Sequence, residues 1–189
     1  HSCALLDGGA VRCWGAGEAG QLGDGSFEDR HEPVAVSGLE GTVAIDAGGA
    51  NTCALGAGGQ VQCWGAGESG QLGDGKKDDR ALPAPVPLDR GALAIGTGYH
   101  GCAILDDGSA RCWGNNDLGE LGIGEAGWDH PQPEVVLGLD RAQALSLGGG
   151  HSCARLDGGQ VRCWGKNVAG QLGDGTTSER HQPVAVVWP

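Results

Sequence analysis

The stretch His1-Ser2-Cys3-Ala4-Leu5-Leu6-Asp7-Gly8-Gly9-Ala10-Val11-Arg12-Cys13-Trp14-Gly15 recurs as close copies starting at Asn51, His100 and His151, and each copy leads into a Gly-Gln-Leu-Gly-like segment. Self-similarity at a period of about 50 residues means supersecondary units that stack and share one continuous core. The 189 residues are therefore read as a single repeat domain with units 1–50, 51–99, 100–150 and 151–189, the last incomplete. Repetition also disciplines any search for a site, because a residue type that returns in every unit serves the scaffold first.

The eight Cys fall two per unit and always ten residues apart: Cys3 and Cys13, Cys53 and Cys63, Cys102 and Cys112, Cys153 and Cys163. Between the members of each pair lie a short apolar run, a Gly-bearing turn and a second run, the pattern of a β-hairpin. A turn centred on Gly8 sets residues whose numbers sum to 16 opposite one another, so Cys3 faces Cys13; the same holds around Gly58, Asp107 and Gly158. Opposed residues have Cβ atoms ~4.5–5.5 Å apart, close enough for a cross-strand bridge after local adjustment. Four disulfides are expected, against the alternative of eight reduced, buried thiols. Zinc fits poorly, since structural sites gather four ligands at short spacings.

The segment Gly20-Gln21-Leu22-Gly23-Asp24-Gly25 returns at Gly70 and Gly170, and as Gly119-Glu120-Leu121-Gly122-Ile123-Gly124 in the third unit. Glycines this dense indicate positive φ or close backbone packing. A phosphate loop would need a following Lys-Ser/Thr pair and helix, and a calcium loop more oxygen ligands than Asp24, Asp74 or Asp174 supply. Beyond a variable stretch, Pro33, Pro85, Pro133 and Pro183 lie in or beside β-branched runs, which suits a strand start or an edge strand. A last short strand, as in Val43-Ala44-Ile45, leads into the next hairpin. Each unit thus carries four short strands.

Four-stranded units of this period, the His-Ser-x-Ala-Leu entry to the hairpin, Trp-Gly and Gly-Gln-Leu-Gly, recurring in order along the whole chain, resemble the regulator of chromosome condensation repeat. The resemblance implies an all-β fold, a β-propeller of four-stranded antiparallel blades, usually seven around an axis. About four units are present here, so the chain is expected to be part of a larger propeller or of an assembled ring. The Cys pairs depart from the general pattern and look like a secreted bacterial variety. The family's Trp-Gly-x-Asn is kept at Asn116 and Asn167 but reads Gly17 and Gly67 in the first two units.

Composition narrows the function. Twenty-four acidic against 12 basic side chains give a formal charge of −12, which repels phosphate backbones and argues against nucleic acid. No run approaches the ~20 apolar residues of a membrane span, and the chain opens on a repeat without a leader, so no membrane insertion is expected. Disulfides place it extracellularly, in a periplasm or at a cell surface. His1, His100 and His151 share one repeat position and are read as scaffold residues bonding to neighbouring backbone. Asp29-Arg30, Asp79-Arg80 and Glu179-Arg180 are read as ion pairs. No nucleophile with a base, cofactor site or metal site emerges, and the chain is read as noncatalytic.

Residues that break the repeat are the candidates for binding: Phe27, Lys76, Lys77 and Trp128 in the variable loop after the glycine segment, and Tyr99 just before the third hairpin. Variable loops on a rigid scaffold carry specificity, and aromatic side chains anchor interfaces. The expected function is a scaffold that binds a protein or a surface glycan through these loops; the alternative is self-association through open edge strands.

Overall fold

The computed structural model describes residues 1–188. It contains fifteen strands: β1 Ser2–Leu5, β2 Val11–Gly15, β3 Arg30–Ala35, β4 Thr42–Gly48, β5 Asn51–Gly56, β6 Val61–Gly65, β7 Arg80–Pro85, β8 Ala92–Thr97, β9 His100–Leu105, β10 Ala110–Gly114, β11 His130–Val135, β12 Ala142–Leu147, β13 His151–Leu156, β14 Val161–Gly165 and β15 Arg180–Ala185. They form four antiparallel sheets, β1-β2-β3, β4 to β7, β8 to β11 and β12 to β15. These are the blades of a β-propeller, with β4, β8 and β12 side by side as the inner strands. No helix among the described residues is long and apolar enough to cross a membrane.

The hairpins have the register that the Gly-centred turns dictate: Cys3 faces Cys13, Cys53 faces Cys63, Cys102 faces Cys112 and Cys153 faces Cys163. All four pairs are disulfide-bonded. Each bridge closes a loop of ten residues, worth on the order of 2–3 kcal/mol in lost unfolded-state entropy.

Sheet and sequence unit are not the same piece of chain. The strand that closes a sequence unit pairs forward, β4 with β5, β8 with β9 and β12 with β13. A sheet therefore runs from an inner strand through the Cys hairpin to an outer strand. By this count β12 to β15 form a full four-stranded sheet, whereas β1-β2-β3 has three strands. The physical reason is the connection length: only a short turn separates β4 from β5, and antiparallel neighbours joined by tight turns pair with each other.

The core lies between sheets rather than within any one of them. Val11, Cys13 and Leu22 of the first sheet meet Ala54 and Trp64 of the second, and Cys53, Leu55, Val61 and Leu72 meet Ala103 and Trp113. The third junction repeats this with Cys102, Ile104 and Leu121 against Ala154 and Trp164. Alternation along each strand sends the Cys side to the following sheet and the Trp side to the preceding one. The disulfides are thus inter-sheet packing as well as staples.

Candidate binding face

Hairpin register sorts the connections onto two faces. Ser2 pairs with Trp14 at the end of the hairpin remote from its turn. Every long loop between the second and third strands of a sheet, and every short turn after an inner strand, therefore opens on one face; the Gly8-type turns open on the other. Phe27, Lys76, Lys77, Trp128 and Tyr99 all fall on the long-loop face.

A rigid floor underlies the loops. In the glycine segment Gly20 (φ 80°) and Gly23 (φ 69°) take the left-handed backbone open to glycine, and this points the carbonyl of Gln21 at the next sheet. Trp64 Nε1 donates to that carbonyl at 2.9 Å. Trp113 and Trp164 repeat the bond to Gln71 (3.0 Å) and Glu120 (2.8 Å). Thr52 Oγ1 also donates to Gln21 O, and Ser152 Oγ to Glu120 O. His1 Nε2 and His100 Nε2 reach these hydroxyls at 2.8 and 2.6 Å. The hydroxyl proton is spent on the carbonyl, so the imidazole is the donor. The His position thus bonds to a side chain of the next sheet and reaches the backbone only through it, a correction to the expectation of direct backbone contact.

The loops are closed by two devices. In the third and fourth, Asn116 Oδ1 accepts from Leu121 N (3.1 Å) and Asn167 Oδ1 from Leu172 N (3.0 Å), while the amide nitrogens hold carbonyls of the loop. In the first and second, a Cβ on Gly17 or Gly67 would collide with the carbonyl of Glu28 or Asp78. There the chain folds inward, and Asp29 and Asp79 accept from Gly17 N and Gly67 N, each at 2.9 Å.

Arg30, Arg80 and Arg180 do not pair with the acid beside them. They bond instead to Asp24, Asp74 and Asp174 six residues upstream, at 2.7–2.8 Å. Burial works to raise the Asp24 carboxyl, but hydrogen bonds from Ser26 and Arg30 outweigh it and hold the group below its ordinary value. Thr176, then Arg180, does the same for Asp174. The third loop has Ile123 and His130 in place of this clamp, with His130 between Glu125 and Glu134 at 3.6 Å from each.

On this floor the aromatic side chains stand free: Phe27 is 51% exposed, Tyr99 63% and Trp128 76%. Phe27 and Lys76 come together, lining a groove of about 570 Å³ with Leu82, Pro83 and Arg80. Lys77 Nζ reaches Asp129 Oδ2 of the next loop at 2.9 Å, beside Trp128. Tyr99 lies apart from them, in the turn after inner strand β8. Sequence reading missed Leu82 and Pro83, which sit in an outer strand and look like ordinary edge residues. No cluster of three or more His, Cys, Asp or Glu able to hold a metal occurs among the described residues.

The regulator of chromosome condensation (RCC1) repeat matches residues 8–55, 58–105 and 107–155, and a second description of that repeat matches 43–71, 92–120 and 143–171. The chain belongs to the RCC1 repeat family. Among solved structures, this chain is similar to human WBSCR16 (TM-score 0.87, 24% identity, 98% of this chain and 50% of that one). It is also similar to Prp20p of Saccharomyces cerevisiae, studied for its binding to Gsp1p and histones (TM-score 0.84, 22% identity, 95% and 47%). The ultraviolet-B receptor UVR8 of Arabidopsis thaliana is 48% identical over 54 residues, 28% of this chain and 12% of the receptor. The chain thus spans about half the length of the two solved propellers.

Proposed function

We propose that this chain is a noncatalytic protein-binding scaffold working outside the cytoplasm, with the long-loop face as its contact surface. The observation that carries the reading is the pairing of exposed Phe27, Lys76 and Trp128 with loops locked from below by Trp–carbonyl bonds. Rigid support lowers the ordering cost of binding, and aromatic anchors supply its energy. A protein partner suits a family in which Prp20p binds Gsp1p and histones. Four disulfides support an oxidising compartment. The net charge of −12 favours a partner face with basic residues around an apolar centre.

A photocrosslinking residue placed at Phe27 or Trp128, compared with one at Gln160 on the opposite face, tests this. A discrete protein adduct from the extracellular fraction at the first two positions and none at Gln160 is expected. Adducts removed by glycosidases would assign the face to a glycan, and equal labelling of both faces would sink the reading. Alkylation before reduction should add no label, and after reduction eight.

A further inference from the structure

Three of the four long loops are clamped by a guanidinium, which stays charged at any pH the fold meets. Arg30, Arg80 and Arg180 stand opposite Gly15, Gly65 and Gly165 at the start of an outer strand, and each holds the aspartate six residues upstream. In the third sheet His130 has that place, opposite Gly114, and Ile123 stands where the aspartate would be. The third loop is also one residue longer, since His130 lies six positions after Gly124 and Arg30 five after Gly25. This is the loop that carries the exposed Trp128.

The imidazole of His130 lies between two carboxylates. Nδ1 is 3.6 Å from Glu134 and Nε2 is 3.6 Å from Glu125, and Nε2 is buried without a hydrogen-bond partner. A neutral imidazole has one N–H and one lone pair, so it serves one acid only by turning its lone pair on the other; an imidazolium has an N–H for each. The two acids differ in freedom. Glu134 sits on β11, paired with Cys112, and the start of that strand is pinned where Pro131 O accepts from Gly75 N at 2.8 Å. Glu125 sits in the loop with its side chain 64% exposed. A bond from Nε2 to Glu125 is therefore the one that draws the loop down.

We propose that protonation of His130 gives the third loop the clamp that arginine gives the others permanently, and so sets Trp128 for binding. The inference rests on the long-loop face being the contact surface. Glu134 orients the ring through Nδ1, and Glu125 closes on Nε2. Charged groups on the surrounding elements are already engaged: Asp117 accepts from Asn115, Asp129 pairs with Lys77, Asp74 of the preceding glycine segment with Arg80, and Arg111 of β10 with Asp89. The new charge thus falls to Glu125 and Glu134. The sign follows. Histidines gain charge as pH falls from about 8 to about 5, while glutamates stay ionised down to about 4.3, so the clamp forms in mild acid and is lost at neutral pH and above. A loop already ordered costs less to bind, and contact through Trp128 strengthens on acidification.

Backbone ¹⁵N relaxation of the free, oxidised chain at about pH 8 and about pH 5.5 tests the clamp without a partner. Order parameters at Gly127 and Trp128 should rise from below about 0.6 towards about 0.85, while Phe27 and Thr177, in clamped loops, stay constant. His130→Arg should show the acid value at both pH values and His130→Gln the alkaline value at both. A third loop indifferent to pH overturns the proposal, and so does a pH response that survives His130→Gln. Photocrosslinking reads the consequence for binding: the adduct yield at Trp128 should rise about 2- to 5-fold in acid, the yield at Phe27 should not, and His130→Arg should remove the difference. A Trp128 yield that ignores pH while the loop orders breaks the link to binding. Adducts at neither position, with the relaxation response intact, overturn the contact face and leave the clamp standing.

Discussion

The junction between the second and third sheets and the junction between the third and fourth do the same mechanical work with different chemistry. Both seat a fully buried Trp on a backbone carbonyl of the preceding sheet. In the earlier junction the polar partners are uncharged: Gln71 in the glycine segment, and Asn51 donating to Thr97 Oγ1 at 2.9 Å. Gly101 stands where a hydroxyl residue stands elsewhere, because a Cβ there would collide with the Trp113 indole. The half-exposed Asp46 accepts from Thr97 N across the same junction. In the later junction the same places hold His100 and Glu120, both ionisable and both fully buried. One scaffold position can therefore be neutral or titratable without moving a strand. The difference between the junctions should appear in their response to pH rather than in their shape.

The largest expected effect tests the likeness. Trp113→Ala and Trp164→Ala each remove a buried indole and leave a carbonyl short of a donor, at a cost of about 3–5 kcal/mol. Denaturant unfolding of the oxidised chain at neutral pH should show similar losses for the two. A difference of more than about 2 kcal/mol would mean that the junctions are not mechanical equivalents.

Next in size is the difference itself. The Ser152 proton goes to Glu120 O, so His100 must donate from Nε2, and its Nδ1 is left buried without a partner. Burial, with a smaller contribution from His151, brings the imidazole from its ordinary 6.5 down to about 4. A group whose folded value is depressed in this way takes its proton first in the unfolded chain. Stability is therefore intact above pH 6.5 and is lost as pH falls towards 4, by about 3 kcal/mol in all. His100→Gln keeps a donor near the Nε2 position and removes the titration. It should lower neutral stability slightly and flatten the decline between pH 6.5 and 4. An unchanged slope would show that the acid sensitivity lies elsewhere.

The sequence made the hairpins legible because a symmetric turn fixes register by arithmetic, and four copies of one spacing leave little freedom; Cys3 to Cys13 and its three repeats follow directly. The variable loops were legible as places where copies disagree, and Phe27, Lys76, Lys77 and Trp128 stand on one face; that this face binds a partner is the proposal made above. What could not be read were contacts whose two ends lie in different repeats or at variable spacing. Nothing local marks the Gln21 carbonyl as the acceptor of Trp64. The loss of Asn at Gly17 looks like a lost contact, yet the loop is closed by a different bond, from Gly17 N to Asp29 twelve residues later, with the loop backbone in the space a Cβ would fill. The offset between unit and sheet was hidden for a related reason: a repeat can be cut anywhere, and only hydrogen bonding shows that β4 belongs with β5. The one signal available was the Ser or Thr after each His or Asn, absent at Gly101 alone.

The smallest expected effect completes the conversion of one junction into the other. Glu120 replaces the Gln of the other three glycine segments, and its Oε2 accepts from Leu118 N at 2.7 Å. Gln21, Gln71 and Gln171 do the same through an amide oxygen, each at 2.9 Å. A neutral oxygen is therefore sufficient, and the charge of Glu120 is a cost. Burial raises its carboxyl above the ordinary range, against the opposing effect of backbone hydrogen bonds. An acid so shifted destabilises the fold as pH rises from the ordinary carboxylate value through the raised one. Glu120→Gln should thus add about 1 kcal/mol at pH 7 and nothing near pH 4, where both side chains are neutral. Unfolding midpoints at the two pH values decide it. An equal gain at both would trace the effect to packing, and the later junction would then owe its pH response to His100 alone.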